Sequence, residues 1–386
     1  MMKNIKTLLI AIILLLMLTG QKGWLFSQSV DNDAGKNKEY NVSFLEWKLW
    51  GYRPENWKMD FNFNELKGTK AEYINIPVKV PGSVQKALKD AGIIDDWNIG
   101  NNYIDIEWIE NRHWIFVTKI PDEWINKESN VILRCLGLDD NGVIMVNGKE
   151  AGNFNNTFIP YKFDITPFLK DKNNTLAIVF KCPPSYLGQI GYTSKIKDWK
   201  PRFYYGWDWI PRIVQIGIWD NILLDVIDKE SANIEEIKII TGADKIKDIG
   251  NLKISAELSS MALNGKVRIQ LKKGTGESII DETVPAAQLR EGKVWSNLKI
   301  KRWWPNGSGD QVLYKLVCTL CDINGSNRQV IERNVGFKNI EWLPCQGALP
   351  EADPWLCSIN SKPVFLQGVN WPPIRPNFAD LTESDY

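Results

Sequence analysis

The sequence predicts a mostly β protein in which sandwich domains follow one another along the chain. Short runs rich in β-branched and aromatic residues recur from residue 42 to residue 340. Turns that contain glycine separate these runs, and only one clearly capped helix pattern interrupts them. With 386 residues, the chain is long enough for two or three such domains.

The first block, residues 40–228, combines strands with one helix. Residues 130–136 and 143–148 are β-rich, and the second run ends in Asn-Gly, which is a strong hairpin signal. The helix begins at Ser83, a good N-cap, and ends at Gly92. Several strands with one or two helices predict a jelly-roll sandwich.

The second block, residues 229–340, contains strand-like runs punctuated by glycines. Such spacing over about a hundred residues predicts an immunoglobulin-like sandwich. The expected strands are 235–241, 252–258, 266–272, 294–300, 312–320 and 329–335.

The last block, residues 341–386, has a different character. Residues 359–371 are typical of a hairpin that feeds a buried strand, and a proline-rich loop follows. Thr382 then offers a cap for a helix. A strand, a loop and the start of a helix indicate the first unit of a larger α/β domain. We therefore interpret the chain as truncated and expect few packed partners after Trp342.

The N-terminus predicts export. Lys3 and Lys6 precede an apolar run over residues 8–18, which is too short to span a bilayer comfortably and is typical of a signal peptide. We place the signal peptide at residues 1–28 and expect a periplasmic or extracellular protein without membrane contact after cleavage. An uncleaved anchor is the alternative.

The composition excludes several classes of function. A net charge of +1 without a basic patch argues against a nucleic-acid partner. The single histidine, His113, argues against a Ser-His-Asp triad and a histidine-rich metal site, so we expect no metal and no cofactor and favour a structural role for it. The chain contains 18 tryptophans. Such a high number is common in carbohydrate-active proteins, although large β-sandwich cores also use tryptophan.

The most informative segment is residues 202–212, in which Asp208 stands between Trp207 and Trp209. Proteins bind sugars with flat rings that pack on C–H faces and with fixed carboxylates that accept hydrogen bonds from hydroxyls. A carboxylate is too polar for a simple core position, and paired indoles are too apolar for an ordinary loop. The segment therefore predicts a sugar site. The alternative is a tryptophan-rich turn packed between two sheets.

Short aromatic and glycine-containing motifs extend over nearly the whole chain after the signal segment. They are Val80-Pro81-Gly82-Ser83-Val84, Glu107-Trp108 with Trp114-Ile115-Phe116, Gly206-Trp207-Asp208-Trp209, Gly217-Ile218-Trp219, Trp303-Trp304-Pro305-Asn306-Gly307, Val335-Gly336-Phe337 and Phe365-Leu366-Gln367-Gly368-Val369-Asn370-Trp371-Pro372. In this order they resemble the N-terminal part of glycoside hydrolase family 2, most closely its β-mannosidase branch. Several motifs in one order are more specific than any one of them alone.

The resemblance implies a jelly-roll (galactose-binding-like) sandwich, an immunoglobulin-like sandwich and the first strand of a (β/α)8 barrel at residues 365–372. It also implies an exo-acting retaining hydrolase that removes terminal β-D-mannose from oligosaccharides or glycoconjugates. Asp208 would then hydrogen-bond hydroxyls of the terminal sugar, and Trp207 would shape the pocket. Asn370 and Trp371, at the C-terminal end of the barrel strand, would line the same subsite.

The same resemblance implies that no catalytic residue lies in this chain. The two glutamates of a retaining enzyme, about 5–5.5 Å apart, would lie in the barrel beyond residue 386. Glu107, Glu110 and Glu123 match no catalytic position, and we expect surface roles for them. Residues 371–376 depart from the family pattern, in which Trp-Ile-Pro precedes an acidic residue. Another family 2 β-glycosidase (galactosidase, glucuronidase or glucosaminidase) and a non-catalytic carbohydrate-binding module are therefore alternatives.

We predict that the 386-residue polypeptide alone does not hydrolyse aryl β-mannosides, because retaining hydrolysis needs both an acid and a nucleophile. Release of the aryl chromophore by the purified polypeptide should equal that of the buffer blank. Turnover that is abolished by substituting a residue within 1–386 would contradict this expectation.

Overall fold

The structure is a computed structural model that describes residues 37–187, 193–371 and 373–386. The predicted signal peptide, residues 1–28, lies outside the described residues. The chain is mostly β, as predicted, and its first unit is a sandwich of antiparallel sheets. The strands of this first sandwich are β1 (Lys38–Asn41), β2 (Trp47–Tyr52), β3 (Tyr73–Val78), β4 (Gly82–Ser83), β5 (His113–Ile120), β6 (Ser129–Cys135), β7 (Gly142–Val146), β8 (Lys149–Phe154), β9 (Tyr161–Asp164), β10 (Asn174–Phe180), β11 (Gly217–Ile218) and β12 (Ile222–Asp228).

Two sheets of the first sandwich enclose one hydrophobic core. The smaller sheet has the strand order β1-β12-β6-β9, and the larger has the order β3-β2-β5-β10-β7-β8. Leu133 and Leu224 of the smaller sheet share this core with Trp114 and Phe116 of the larger sheet, and all four side chains are fully buried. Because each strand alternates its side chains between two faces, one face of each sheet supplies this core.

The helix predicted to begin at Ser83 is confirmed. The Ser83 hydroxyl accepts a hydrogen bond from the Lys86 backbone N–H at 3.0 Å, which caps the first turn. Val84 and Leu88 point into the core from this helix. The α-helices in the described ranges are α1 (Trp57–Asp60), α2 (Val84–Asp90), α3 (Asn102–Asp105) and α4 (Gln288–Glu291).

A second sandwich follows, with sheets of order β13-β14-β17 and β16-β15-β18-β19. All six predicted strands are present, and β16 is an additional one. This edge strand buries only Ile280 and Val284, so its hydrophobic pattern is weak. The jelly-roll and immunoglobulin-like topologies stay interpretations of the two sandwiches. The strands of the second are β13 (Ile234–Ala243), β14 (Ile249–Leu258), β15 (Lys266–Lys272), β16 (Ser278–Pro285), β17 (Lys293–Lys299), β18 (Tyr314–Cys321) and β19 (Asn327–Val335).

The last part of the chain contains the predicted hairpin but not the predicted buried strand. A small sheet joins β20 (Ile340–Leu343), β21 (Leu356–Ile359) and β22 (Lys362–Pro363). Residues 364–371 form no strand, and Phe365 is 85% exposed. The expectation of a buried first barrel strand is therefore wrong for this structure. The physical reason is that a strand needs a neighbour for its backbone groups and apolar faces, and no described strand pairs with this segment.

The expectation of few packed partners after Trp342 is also wrong in part. A 3-10 helix, Phe378–Asp380, packs on the first sandwich, and the Asp380 carboxylate accepts a hydrogen bond from the Ser83 backbone N–H at 2.8 Å. Asn360 donates to the Trp303 carbonyl of the second sandwich at 3.0 Å. The final part of the chain therefore contacts both sandwiches.

His113 has the structural role that was predicted for it. It is buried in the first sandwich, and its Nδ1 accepts a hydrogen bond from the Trp57 indole N–H at 3.0 Å. Burial lowers the pKa of His113, which favours the neutral ring that this hydrogen bond requires. Across the ranges that the structure describes, no helix combines the length and the apolar character needed to cross a membrane.

We expect limited proteolysis by chymotrypsin to cut first after Phe365 or Leu366, because this segment is exposed and forms no ladder. Cleavage after Phe378 should be slower, since this residue packs against three aromatic rings. Mass spectrometry of the earliest fragments checks the order. Equal rates at Phe365 and Phe378, or a first cut within the sandwiches, would contradict it.

Candidate functional site

The predicted sugar-binding segment forms a tight two-residue turn. The Ile210 backbone N–H donates to the Trp207 carbonyl at 2.7 Å, and the reverse bond from Trp207 N–H to the Ile210 carbonyl is 3.3 Å long. Asp208 and Trp209 therefore occupy the tip. Asp208 has φ = +43°, a left-handed conformation that Asp tolerates better than most residues. We call residues Trp207–Ile210 the Asp208 turn.

The tip of the Asp208 turn faces solvent. Asp208 is exposed and Trp209 is 75% exposed, whereas Trp207 is half-buried. A turn packed between two sheets, the alternative reading of this sequence, would bury both tip side chains. The structure excludes that alternative, and the role of Asp208 itself stays a prediction.

An arginine and a tyrosine ring anchor the turn. Arg212 donates two hydrogen bonds to the Glu110 carboxylate, at 2.6 and 2.7 Å, and its guanidinium lies 5.5 Å from the centre of the Tyr205 ring. The Tyr205 hydroxyl donates to the Pro184 carbonyl at 2.7 Å. Bidentate arginine–carboxylate pairs fix both distance and orientation. The base of the turn is therefore held on its C-terminal side.

The expectation of a surface role for Glu110 is wrong. Its side chain is only 9% exposed, because the 3-10 helix Glu107–Asn111 turns it towards Arg212. Burial raises the pKa of Glu110, and the hydrogen bonds from Arg212 act against this rise. Glu107 lies 3.4 Å from the same guanidinium at its exposed edge, and Glu123 is exposed.

A buried polar network lies on the N-terminal side of the turn. The ammonium group of Lys200 lies 3.3 Å from Asp139 Oδ1, and both side chains are almost completely buried. Lys200 also donates to the Gln215 carbonyl at 2.8 Å. The side-chain amide of Gln215 donates to Asp139 Oδ2 at 2.6 Å and to the Tyr204 hydroxyl at 2.9 Å. Buried charges are tolerated only when they are paired in this way.

The other two predicted site residues lie on a different segment. Asn370 is exposed and Trp371 is 72% exposed, on the stretch that forms no strand. Within the described residues, no hydrogen bond or ring contact joins them to Trp207 or Asp208. A cavity of about 620 Å³ between the two sandwiches, lined by Arg134, Asp225, Glu257 and Gln329 among others, contains none of the four predicted residues. Trp207 and Asp208 thus share one turn, and no direct contact links them to Asn370 and Trp371 in the part of the chain that the structure describes.

Sequence reasoning missed the residues that hold the turn. Asp139, Lys200 and Gln215 are far apart in sequence, and neither periodicity nor spacing indicates that they meet. The Asp139-Asp140 pair, which follows the predicted strand 130–136 after two residues, is the one available signal in the sequence, because acidic residues are rarely buried beside a sandwich core.

Asp140 is a buried acid with an altered pKa. It is 5% exposed, and burial raises the pKa of its carboxyl to about 6, with Asp139 and Asp198 adding to the rise and Lys200 opposing it. Its backbone has φ = +63°, and its N–H donates to the Thr157 hydroxyl at 2.9 Å. The ionised form is therefore held in an unfavourable environment at neutral pH.

We predict that Asp140→Asn stabilises the chain above pH 6. A pKa near 6 in the folded chain, above that of an unfolded Asp, means that the free energy of unfolding falls as pH rises from about 4 to about 6. Asn removes this loss and tolerates the left-handed backbone, so the free energy of unfolding should rise by about 1–3 kcal/mol at pH 7.5 and by much less at pH 4. Urea unfolding at both pH values measures the difference.

Asp139→Asn is the matched control for that measurement. It removes the charge partner of the buried Lys200, so it should destabilise the chain at pH 7.5. Stabilisation by Asp139→Asn, or no gain from Asp140→Asn, would contradict the different environments assigned to these neighbours.

Comparison with known proteins shows which family and which relatives this chain is similar to. Residues 57–220 match the family described as glycosyl hydrolase 2 galactose-binding domain-like. The chain is 26% identical over 343 residues to β-mannosidase B of Aspergillus terreus and 27% identical over 348 residues to β-mannosidase of Mus musculus. These alignments cover 84% and 81% of this chain but only 40% and 38% of the two relatives. The chain thus spans about two fifths of the length of the curated relatives it matches.

Solved structures share the fold. A β-D-mannosidase from Dictyoglomus thermophilum superposes with a TM-score of 0.69 at 22% identity, over 90% of this chain and 42% of that one. A β-glucuronidase from Ruminococcus gnavus gives a TM-score of 0.57 at 16% identity, over 86% of this chain and 49% of that one. Residues 57–220 therefore match the galactose-binding domain-like family of glycosyl hydrolase 2, the chain is similar in sequence to β-mannosidases, and it shares its fold with a solved β-D-mannosidase.

Proposed function

We propose that this chain provides the sugar-positioning part of an exported, exo-acting retaining β-glycoside hydrolase of the β-mannosidase type. Such an enzyme removes terminal β-D-mannose from oligosaccharides or glycoconjugates. The observation that carries the proposal is the exposed Asp208 side chain, which stands between two tryptophans in the sequence, on a turn that is anchored at both ends.

The chemistry of this turn suits a sugar. A free carboxylate accepts hydrogen bonds from two vicinal hydroxyls, and indole rings cover the apolar C–H face. Anchoring matters because a turn that is already ordered pays little conformational entropy when the sugar binds. In this proposal Asp208 and Trp207 contact the non-reducing sugar, and Asn370 and Trp371 complete the same subsite from the final segment.

The proposal divides the chain into functional units. Residues 40–228 form the sugar-binding sandwich, residues 229–340 form a spacer sandwich, and residues 341–386 begin the catalytic domain. The acid and the nucleophile, about 5–5.5 Å apart in a retaining enzyme, would come from outside these residues. The similarity to β-mannosidases over more than 80% of this chain supports this division.

A β-glucuronidase is the second candidate, because such an enzyme shares the fold. Charge argues against it. A glucuronide carries a carboxylate, and Asp208 would repel it, since like charges a few ångströms apart disfavour each other in a water-poor site. Arg212 is already engaged by Glu110 and Lys200 by Asp139, so neither cation is available to offset the repulsion. The turn therefore favours a neutral sugar.

We predict that Asp208→Asn in the full-length protein lowers kcat/KM for an aryl β-mannoside by about tenfold to a hundredfold, because charged hydrogen bonds contribute about 1.5–3 kcal/mol each. Asn keeps the size and tolerates the positive φ, so the melting temperature should change little. Steady-state kinetics and thermal unfolding measure the two effects.

Glu123→Gln is the control, since Glu123 is exposed and lies outside the Asp208 turn, in the 3-10 helix Asp122–Trp124. It should leave kcat/KM within about twofold of that of the unmodified protein, because surface substitutions away from a site have small effects. Equal activities of the Asp208 and Glu123 variants would overturn the sugar-binding role, and higher activity on a β-glucuronide than on a β-mannoside would favour the second candidate.

A further inference from the structure

The 3-10 helix Phe378–Asp380 lies against the first sandwich, although more than 150 residues separate it in sequence from the residues it contacts. The Asp380 carboxylate accepts hydrogen bonds from the Ser83 backbone N–H at 2.8 Å and from the Ser83 hydroxyl at 2.5 Å. Asn377, which is almost fully buried, donates to the same carboxylate at 2.8 Å. We call residues Asn377–Asp380 the docking segment.

Gln215 connects the docking segment to the buried network. Its side-chain oxygen accepts a hydrogen bond from the Ala379 backbone N–H at 2.8 Å, while its side-chain nitrogen donates to Asp139 and Tyr204. The two N–H donors and the oxygen acceptor of this fully buried side-chain amide therefore bind three separate segments of the chain. Such an arrangement fixes the relative position of those segments, because each unmade bond would leave a buried polar group without a partner.

Phe378 supplies the apolar contacts between the docking segment and the first sandwich. Its ring is stacked on Tyr204, with centroids 5.9 Å apart and planes at 6°, and meets Trp219 edge-on at 5.6 Å. It also lies 6.2 Å from Phe203. Tyr204 and Phe203 belong to the 3-10 helix Arg202–Tyr205, which leads directly into the Asp208 turn through Gly206.

The docking segment also restrains the other predicted site residues. Only six positions separate Trp371 from Asn377, a stretch that reaches at most about 20 Å when extended. Pro373 and Pro376 restrict its backbone further, and Pro376 is buried. The same short element thus contacts the support of Asp208 and limits where Asn370 and Trp371 can lie.

We propose that Phe378 and Gln215 are positioning residues of the sugar subsite. In this proposal, which rests on the proposed function, the docking segment joins the two halves of the subsite. It holds the helix below the Asp208 turn on one side and tethers Asn370 and Trp371 on the other. Neither Phe378 nor Gln215 contacts the sugar.

The test is a double-mutant cycle in the full-length protein between Asp208→Asn and Phe378→Ala. Phe378→Ala should raise KM for an aryl β-mannoside and lower kcat/KM by about tenfold, and Phe378→Leu should restore most of the loss. In the Asp208→Asn background, Phe378→Ala should lower kcat/KM by less than about threefold further, because the turn it positions has already lost its carboxylate.

Hydrogen exchange provides a readout that does not depend on activity. The amide of Ile210, which closes the Asp208 turn, should exchange faster in Phe378→Ala and at the original rate in Phe378→Leu. Phe44→Ala is the matched control, because Phe44 is exposed and belongs to a different 3-10 helix of the same sandwich. It should change neither the kinetics nor the exchange at Ile210.

The outcomes separate the two proposals. If Asp208→Asn has no effect on kinetics, the proposed function fails, and exchange at Ile210 still decides whether the docking segment holds the turn. If Asp208→Asn impairs the enzyme but Phe378→Ala leaves KM and Ile210 exchange unchanged, the positioning role is wrong. Additive effects of the two substitutions would also overturn it. If Phe378→Ala does not fold, Asp380→Asn takes its place in the same cycle, because it keeps the shape of the side chain but removes the charge that accepts the two hydrogen bonds from Ser83.

Discussion

The buried ion pair between Lys200 and Asp139 is the constraint on which the rest of this site depends. Two charges with almost no access to water are stable only if every remaining donor and acceptor has a partner. Gln215 meets this demand, since its backbone carbonyl accepts a hydrogen bond from Lys200 and its side-chain nitrogen donates to Asp139 and Tyr204. Removal of one partner from such a set costs several kcal/mol, about 3–5 in comparable cases. The segments that carry these residues therefore cannot move independently.

This constraint explains why an exposed turn is held in one conformation. Asp208 and Trp209 face solvent, yet the residues on either side are buried or paired. Tyr204 is held below the turn by the network, and Arg212 is held beyond it by Glu110. Most surface ion pairs contribute about 0–1 kcal/mol and would not order a loop. The Arg212–Glu110 pair differs because it is bidentate and its carboxylate is largely shielded from water.

The same contacts link the first sandwich to the final part of the chain. Gln215 and Tyr204 face the buried network on one side and the docking segment on the other. A change in the docking segment would therefore reach the Asp208 turn through two intermediate side chains. This is coupling through packed rings and satisfied hydrogen bonds, which requires no movement of a whole domain.

Much of the fold followed from the sequence alone. Alternating apolar residues predicted the strands of the second sandwich, Ser83 predicted the helix start, and Asp208 between two indoles predicted the candidate site. These features are encoded locally, in a repeat of two residues for strands and in the capping and turn preferences of single side chains. The edge strand β16 was not predicted, because it buries too few residues to give a clear alternation of apolar and polar residues.

Only the tertiary structure decided which polar groups meet. Glu110 was expected at the surface and is buried against Arg212, about a hundred residues later in the chain. Residues 364–371 have the composition of a buried strand but lie exposed, because strand formation requires a neighbour that composition cannot supply. Gln215 gave no signal at all, since its role arises from the positions of Asp139, Tyr204 and Ala379 around it. Local propensity is a property of neighbouring residues, whereas the partner of a buried polar group is determined by packing between distant segments.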